Sequence, residues 1–216
     1  MFMMTTRAAS LLAALAGLAA AAQAQSPGSA AERVDRYLSR LTTLRAGFEQ
    51  EVLDATGAVR EEASGTLAIA KPGRFRWDYR QPSEQLLVSD GRTLWLYDAE
   101  LEQVTVRKAD QALSATPASL LSGQGKASES FEVADAGRAE GVEWALLTPR
   151  LGDTDFREVR LGFRNGGLER MELVDRLGQT TRIRFTDVEI NPALADGLFD
   201  FRPPPGVDVV GSGAAP

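Results

Sequence analysis

KPGRFRWDYRQPSEQLLVSDGRTLWLYDAELEQ, residues 71–103, decides the fold. Phe75, Trp77 and Tyr79 alternate with Arg74, Arg76, Asp78 and Arg80, the period of two with which a strand serves two faces. Gln81-Pro82 ends that run, because proline donates no ladder hydrogen bond. Glu84–Ser89 is a second apolar run. Asp90-Gly91 reads as the centre of a two-residue type I′ hairpin, and Thr93–Tyr97 follows with apolar side chains on both faces. Asp98–Glu100 then turns the chain into Leu101–Arg107. Two of the 3 tryptophans and two of the 3 tyrosines lie here, so a large aromatic surface is built on a sheet whose other face is ringed by arginine.

Outward from this block the same period continues. Upstream, Leu44, Ala46 and Phe48 are in phase within Leu44–Asp54, and Val59, Ala63, Leu67 and Ile69 within Val59–Ala70. Ala63-Ser64-Gly65 predicts a bend, or a close approach by another group. Ahead of both, Ala31–Thr42 is an amphipathic helix with Val34, Tyr37, Leu38 and Leu41 on one stripe. Downstream, residues 112–121 lack alternation and read as a loop and short helix. Thr116-Pro117 fits an N-cap and first helical position, and Leu120 and Leu121 form the apolar end. Strands follow at Phe131–Asp135, Glu143–Thr148, Arg157–Arg164, Leu168–Asp175 and Thr181–Ile190, with Asn165-Gly166 and Leu177-Gly178 as turns. Asn191-Pro192 opens a short helical loop through Leu198, and Val207–Val210 reads as an edge strand. About ten or eleven strands joined by tight turns, with no connection long enough for a parallel crossover, predict a meandering antiparallel sheet, strongly curved or barrel-like.

Composition limits what such a sheet can do. The 216 residues carry 44% hydrophobic and 25% charged side chains, enough for one sizeable globular domain. A net charge of −6 argues against nucleic acid as a partner. The chain holds 0 histidines and 0 cysteines, which removes Ser-His-Asp and Cys-His catalysis and nearly every zinc site. A non-enzyme without cofactor or metal is the expectation. Residues 1–24 read as a signal peptide: Arg7 supplies the positive region, Ala8–Ala22 the apolar one, and Ala22-Gln23-Ala24 the cleavage site. With no cysteine to carry a lipid, the product is expected to be a soluble, exported monomer. A single domain spans residues 25–210, and residues 211–216 form a disordered tail.

The block Gly65–Val104 resembles the periplasmic outer-membrane lipoprotein carrier family, LolA. The likeness begins near Phe48-Glu49-Gln50 and includes Thr116-Pro117, Leu120-Leu121 and the closing FDFRPPPGVDVV. Its most specific parts are a basic residue before Pro72, Phe-x-Trp after it, and the hairpin SDGRTLWLYD. The resemblance implies an incomplete, half-open antiparallel β-barrel with helices forming a lid over an apolar cavity. That cavity receives lipoprotein acyl chains. Cargo comes from the inner-membrane Lol CDE ABC transporter and passes to the outer-membrane receptor LolB, a relative whose own lipidated cysteine is absent here. Lys71 stands where the family usually has the arginine that holds the lid helices shut, and a lysine lacks that planar fork. Phe75 and Trp77 match aromatic positions at the cavity. Phe48 belongs to the same set, and Leu38, Leu44, Leu120, Leu121 and Leu194 are expected cavity or lid contacts.

Three other readings stand beside this one. The same cavity would suit a periplasmic carrier of another lipid or a glycolipid. Asp78 and Asp98 are the best carboxylate pair for an enzyme, although turns and strand surfaces explain both. A filled core would make the protein purely structural.

Overall fold

The structure is a computed structural model and describes residues 28–109, 117–123, 126–150 and 155–211. The expected signal peptide and most of the expected tail lie outside them. Among the described residues the chain begins with helix α1 (Ala30–Arg40). Strands β1 (Thr43–Leu53), β2 (Val59–Ala70), β3 (Arg74–Gln81), β4 (Gln85–Asp90), β5 (Thr93–Asp98) and β6 (Gln103–Lys108) follow. Two short helices, α2 (Pro117–Ser122) and α3 (Ala127–Ser130), precede the second half. That half contains β7 (Phe131–Ala139), β8 (Val142–Pro149), β9 (Phe156–Arg164), β10 (Gly167–Asp175), β11 (Thr180–Ile190) and β12 (Asp208–Gly211).

All these strands join one 12-stranded sheet in the order β12-β6-β5-β4-β3-β2-β1-β11-β10-β9-β8-β7. Two antiparallel meanders, β1–β6 and β7–β11, meet where β1 pairs with β11. The sheet curves but does not close, since β12 and β7 are its two ends. The fold class is therefore mainly β, a half-open antiparallel barrel. Expectation fails at the last strand, because β12 pairs with β6 in parallel. The crossover needed is supplied by the whole second half of the chain, whereas connections between successive strands are indeed too short.

Local chemistry sets the bends. At Gly65 a Cβ would overlap the Asp78 carbonyl oxygen of β3, and the β2–β3 register shifts between Ser64 and Gly65. Thus the small-residue run of β2 marks a close backbone approach. A second irregularity opens β11 against β1, where Asp187 takes a positive φ of 48°; bulges of this kind increase twist. Asn165 and Gly166, at φ 51° and 81°, make the two-residue turn foreseen between β9 and β10. Asp90-Gly91 does not. Only Gly91 has positive φ, and the two residues between β4 and β5 are Gly91 and Arg92, with the Asp90 carboxylate accepting from the Arg92 and Thr93 amides at 2.8 and 2.7 Å. Asn191–Leu198 is likewise an irregular segment with a turn near its end and no helix.

The concave face carries the main core: Leu44, Phe48, Leu67, Ile69, Phe75 and Trp77 from the first half meet Ala145, Leu147, Val159, Leu161, Phe163 and Met171 from the second. Helix α1 lies on this face through Val34 and Leu38, with Leu41 just beyond it. A capping box fixes its start, the Ser29 hydroxyl accepting from the Glu32 amide at 3.2 Å while Glu32 accepts from the Ser29 amide at 3.1 Å. The convex face is polar over most of the sheet. Over β2 it holds a small second cluster, in which Ala68 and Ala70 pack with Phe199, Leu194 and Leu198. Phe201 lies 6.1 Å from both Trp95 and Tyr97, which explains why β5 is apolar on both sides.

Candidate functional site

The aromatic centre of the concave face is built by strand alternation. Trp77 on β3 sits between Leu67 of β2 and Leu87 of β4. Its ring is 5.1 Å from Phe48 and 6.5 Å from Tyr79, and only 2% of the residue is exposed. The Tyr79 hydroxyl donates to Gln50 Oε1 at 3.2 Å. Burial pushes the Tyr79 pKa up to about 12, against a weaker pull from that bond. From Trp77 an apolar row runs across neighbouring strands through partly buried Leu87 to Leu96, which is 41% exposed. The row spans two strand spacings, about 10 Å. The concave face is thus continuous from solvent to the ring buried beneath the helices.

The lid is pinned to this face at separated polar points. Four carbonyls at a helix C-terminus lack intrahelical partners. For α1, two are taken up by the sheet. Lys71 Nζ donates to the Leu38 carbonyl at 2.7 Å, and Asn191 Nδ2 to the Arg40 carbonyl at 2.9 Å. Burial lowers the Lys71 pKa. Asn191 Oδ1 also accepts from the Thr42 amide at 2.8 Å, the Thr42 hydroxyl at 2.9 Å and the Thr43 amide at 3.2 Å. Further along α1, Asp35 accepts from the Ser128 hydroxyl of α3 at 2.6 Å and from its amide at 3.2 Å. Arg33 lies 3.7 Å from Asp135 and 3.9 Å from Glu143. Helix α2 is tied to the β2–β3 turn by the Gly73 amide, which donates to the Ser122 carbonyl at 2.9 Å.

Among the described residues, four side chains carry buried polar atoms without a hydrogen-bond partner, all where lid and sheet meet: Trp77 Nε1, the Tyr37 hydroxyl, the Ser122 hydroxyl, and Arg33 Nε and Nη2. Burial pushes the Tyr37 pKa up to about 12. The Leu168 backbone is near enough to pull it back slightly without completing a hydrogen bond.

The structure brings Leu38, Leu44, Phe48, Phe75, Trp77 and Leu121 into one buried cluster, with partly buried Leu120 against it. Lys71 sits at its rim. Leu194 does not belong here. It packs with Ala68 and Phe199 in the convex-face cluster, because residues 68 and 70 point opposite to 67 and 69. Asp78 receives two bonds from Arg76, at 2.8 and 3.1 Å. Asp98 accepts from Gln85 Nε2 at 2.9 Å and from the Glu100 and Leu101 amides at 3.0 and 3.1 Å. Both carboxylates are thus engaged in holding strands and turns. Asn191, Asp35 and Arg33 are lid contacts that periodicity does not reveal; Asn191 showed only as a turn signal. Replacing Asn191 with Ala is expected to lower the unfolding free energy by about 1 kcal/mol, since exposed bonds are lost together with a residue suited to its φ of 56°. Urea unfolding measures this, and Asn191→Gly separates the bonds from the backbone.

On the opposite side, β10, β11 and β1 present Glu49, Glu51, Arg170, Glu172, Arg182 and Arg184 around a shallow groove. Its alternating charges suit no acyl chain.

An unclosed sheet whose apolar face is covered by pinned helices defines a carrier-type fold, and comparison with known proteins gives the family. Residues 39–202 match the family described as outer membrane lipoprotein carrier protein LolA, and the chain belongs to it. It is 48% identical over 182 residues to the outer-membrane lipoprotein carrier protein of Dechloromonas aromatica, covering 84% of this chain and 88% of that one. With its counterpart in Azotobacter vinelandii it shares 47% identity over 198 residues, covering 89% and 95%. Among solved structures, an uncharacterized conserved protein from Thermus thermophilus has the same fold, with a TM-score of 0.52 at 15% identity over 83% of this chain and 94% of that one.

Proposed function

We propose that this chain is a periplasmic carrier that shields the acyl chains of lipoproteins on its concave face. It receives them from the inner-membrane Lol CDE transporter and passes them to the outer-membrane receptor LolB. The observation that carries this reading is the combination of an apolar concave face with a lid held to it by a few polar pins, Lys71 among them. Such a lid can lift without dismantling the sheet. The need is physical: each methylene exposed to water costs about 0.8 kcal/mol, so several long chains cost tens of kcal/mol. The interior is packed in the lid-closed form, so cargo must displace the helices, and Leu96 and Leu87 mark where entry begins. Residues 1–24 serve as the export signal, and the mature protein acts as a monomer without a catalytic step.

The test is to express the mature chain beside an acylated lipoprotein and its Cys→Ala version, then isolate complexes and identify bound lipid by mass spectrometry. A soluble complex is expected with the acylated form alone. Recovery of a glycolipid instead would favour the second reading, and recovery of no lipid would overturn both.

A further inference from the structure

We infer that the Trp77 indole N–H is the hydrogen-bond donor for an acyl-ester carbonyl oxygen of the cargo, a role that rests on the carrier reading above. Trp77 Nε1 is buried and has no partner. A buried donor left unmade carries a real penalty, and phenylalanine would fill the same apolar face without it. The ring's neighbours are Phe48, Tyr79, Leu67 and Leu87, none of them charged. A phosphate or carboxylate brought here would lack a counter-charge, so a neutral acceptor is favoured. A carbonyl oxygen meets that requirement; an ether oxygen is a poor substitute, and a methylene offers nothing.

The depth of the site agrees with this chemistry. Trp77 lies two strand spacings, about 10 Å, from exposed Leu96 along the apolar row. In a diacylglyceryl-modified peptide only a few bonds separate the polypeptide from the ester carbonyls. With the peptide at Leu96, those carbonyls reach Trp77, and the hydrocarbon continues towards Phe48, Phe75 and Leu121. The indole thereby reads the junction between head and tail, fixing how far each chain inserts without selecting its length. The unmade bond also means that the lid closes over an unsatisfied donor in the empty protein, which favours exchanging lid for cargo.

The experiment compares two synthetic lipopeptides that differ only in their chain linkage, one a diester and one a diether. Binding is measured to the wild-type mature protein and to Trp77→Phe. Wild type is expected to prefer the diester by about tenfold, equal to about 1.4 kcal/mol. Trp77→Phe should lose that preference and bind the two alike, whatever common affinity the smaller ring leaves. The Trp77 indole N–H resonance supplies a readout independent of variant folding: it should move downfield on adding diester and much less with diether. Equal wild-type affinities, a tenfold preference that survives in Trp77→Phe, or an indole shift that ignores the linkage would each overturn the proposal. If neither lipopeptide binds wild type, the carrier reading falls and this role falls with it.

Discussion

Replacing Trp77 with alanine is expected to lower the unfolding free energy of the empty protein by about 3 kcal/mol. Truncating a large buried aromatic costs roughly 3–5 kcal/mol, through lost transfer energy and the void it leaves. Trp77 meets those conditions, with 2% exposure, Phe48 at 5.1 Å and Leu67 and Leu87 on the flanking strands. The lower end of the range applies because the deletion also removes an indole N–H buried without a partner. Urea unfolding with an unchanged slope would measure it. A loss of less than about half that value would mean that the ring packs against little in solution, and hence that the lid stands open in the empty protein.

Lys71→Leu should act on transfer rather than on folding. The bond it removes joins a half-buried ammonium to the Leu38 carbonyl at the end of α1. Solvent screening reduces a charge-assisted bond of this kind to about 1–2 kcal/mol. That bond stabilises the lid-closed form, so its loss shifts the balance towards open by roughly 5- to 30-fold. Cargo no longer has to compete with the latch and is held more tightly. Delivery to acceptor vesicles carrying the receptor should slow by a similar factor, while the unfolding free energy falls by no more than the same ~1–2 kcal/mol, because Asn191, Asp35 and Arg33 still hold the helix. Lys71→Arg should retain delivery, since a guanidinium also reaches a carbonyl. Unchanged delivery by Lys71→Leu would remove the latch from the mechanism.

Much of this was legible where chemistry is local. The alternation of Phe75, Trp77 and Tyr79 with Arg74, Arg76 and Asp78 gave a strand and its buried face, and the stripe Val34–Tyr37–Leu38–Leu41 gave the covering helix. Lys71 was legible only through family likeness, because nothing in the pattern says that a helix end lies above it. Leu194 was misplaced for a related reason: Ala68 and Ala70 are too small to announce a second buried face. The pairing of β1 with β11 and the parallel docking of β12 join residues more than a hundred positions apart, beyond any window of periodicity. The isolation of Trp77 Nε1 is a property of packing, so no residue type could signal it.

That long-range pairing bears on the order in which the molecule can be made. β1 is the earliest strand, yet one of its edges must wait for residues 180–190, and the outer edge of β6 for residues 208–211. A chain emerging from its N-terminus can zip the first meander by local contacts, but it keeps the two flanks of that meander unpaired until residues 180–190 and 208–211 arrive. Native closure is therefore a late, non-local event, which slows it relative to a simple run of hairpins. This topology withholds the compact state until residues 180–190 and 208–211 are in place. The same delay leaves two raw strand edges exposed in the interval, so any chain stalled before β11 would invite pairing with its neighbours.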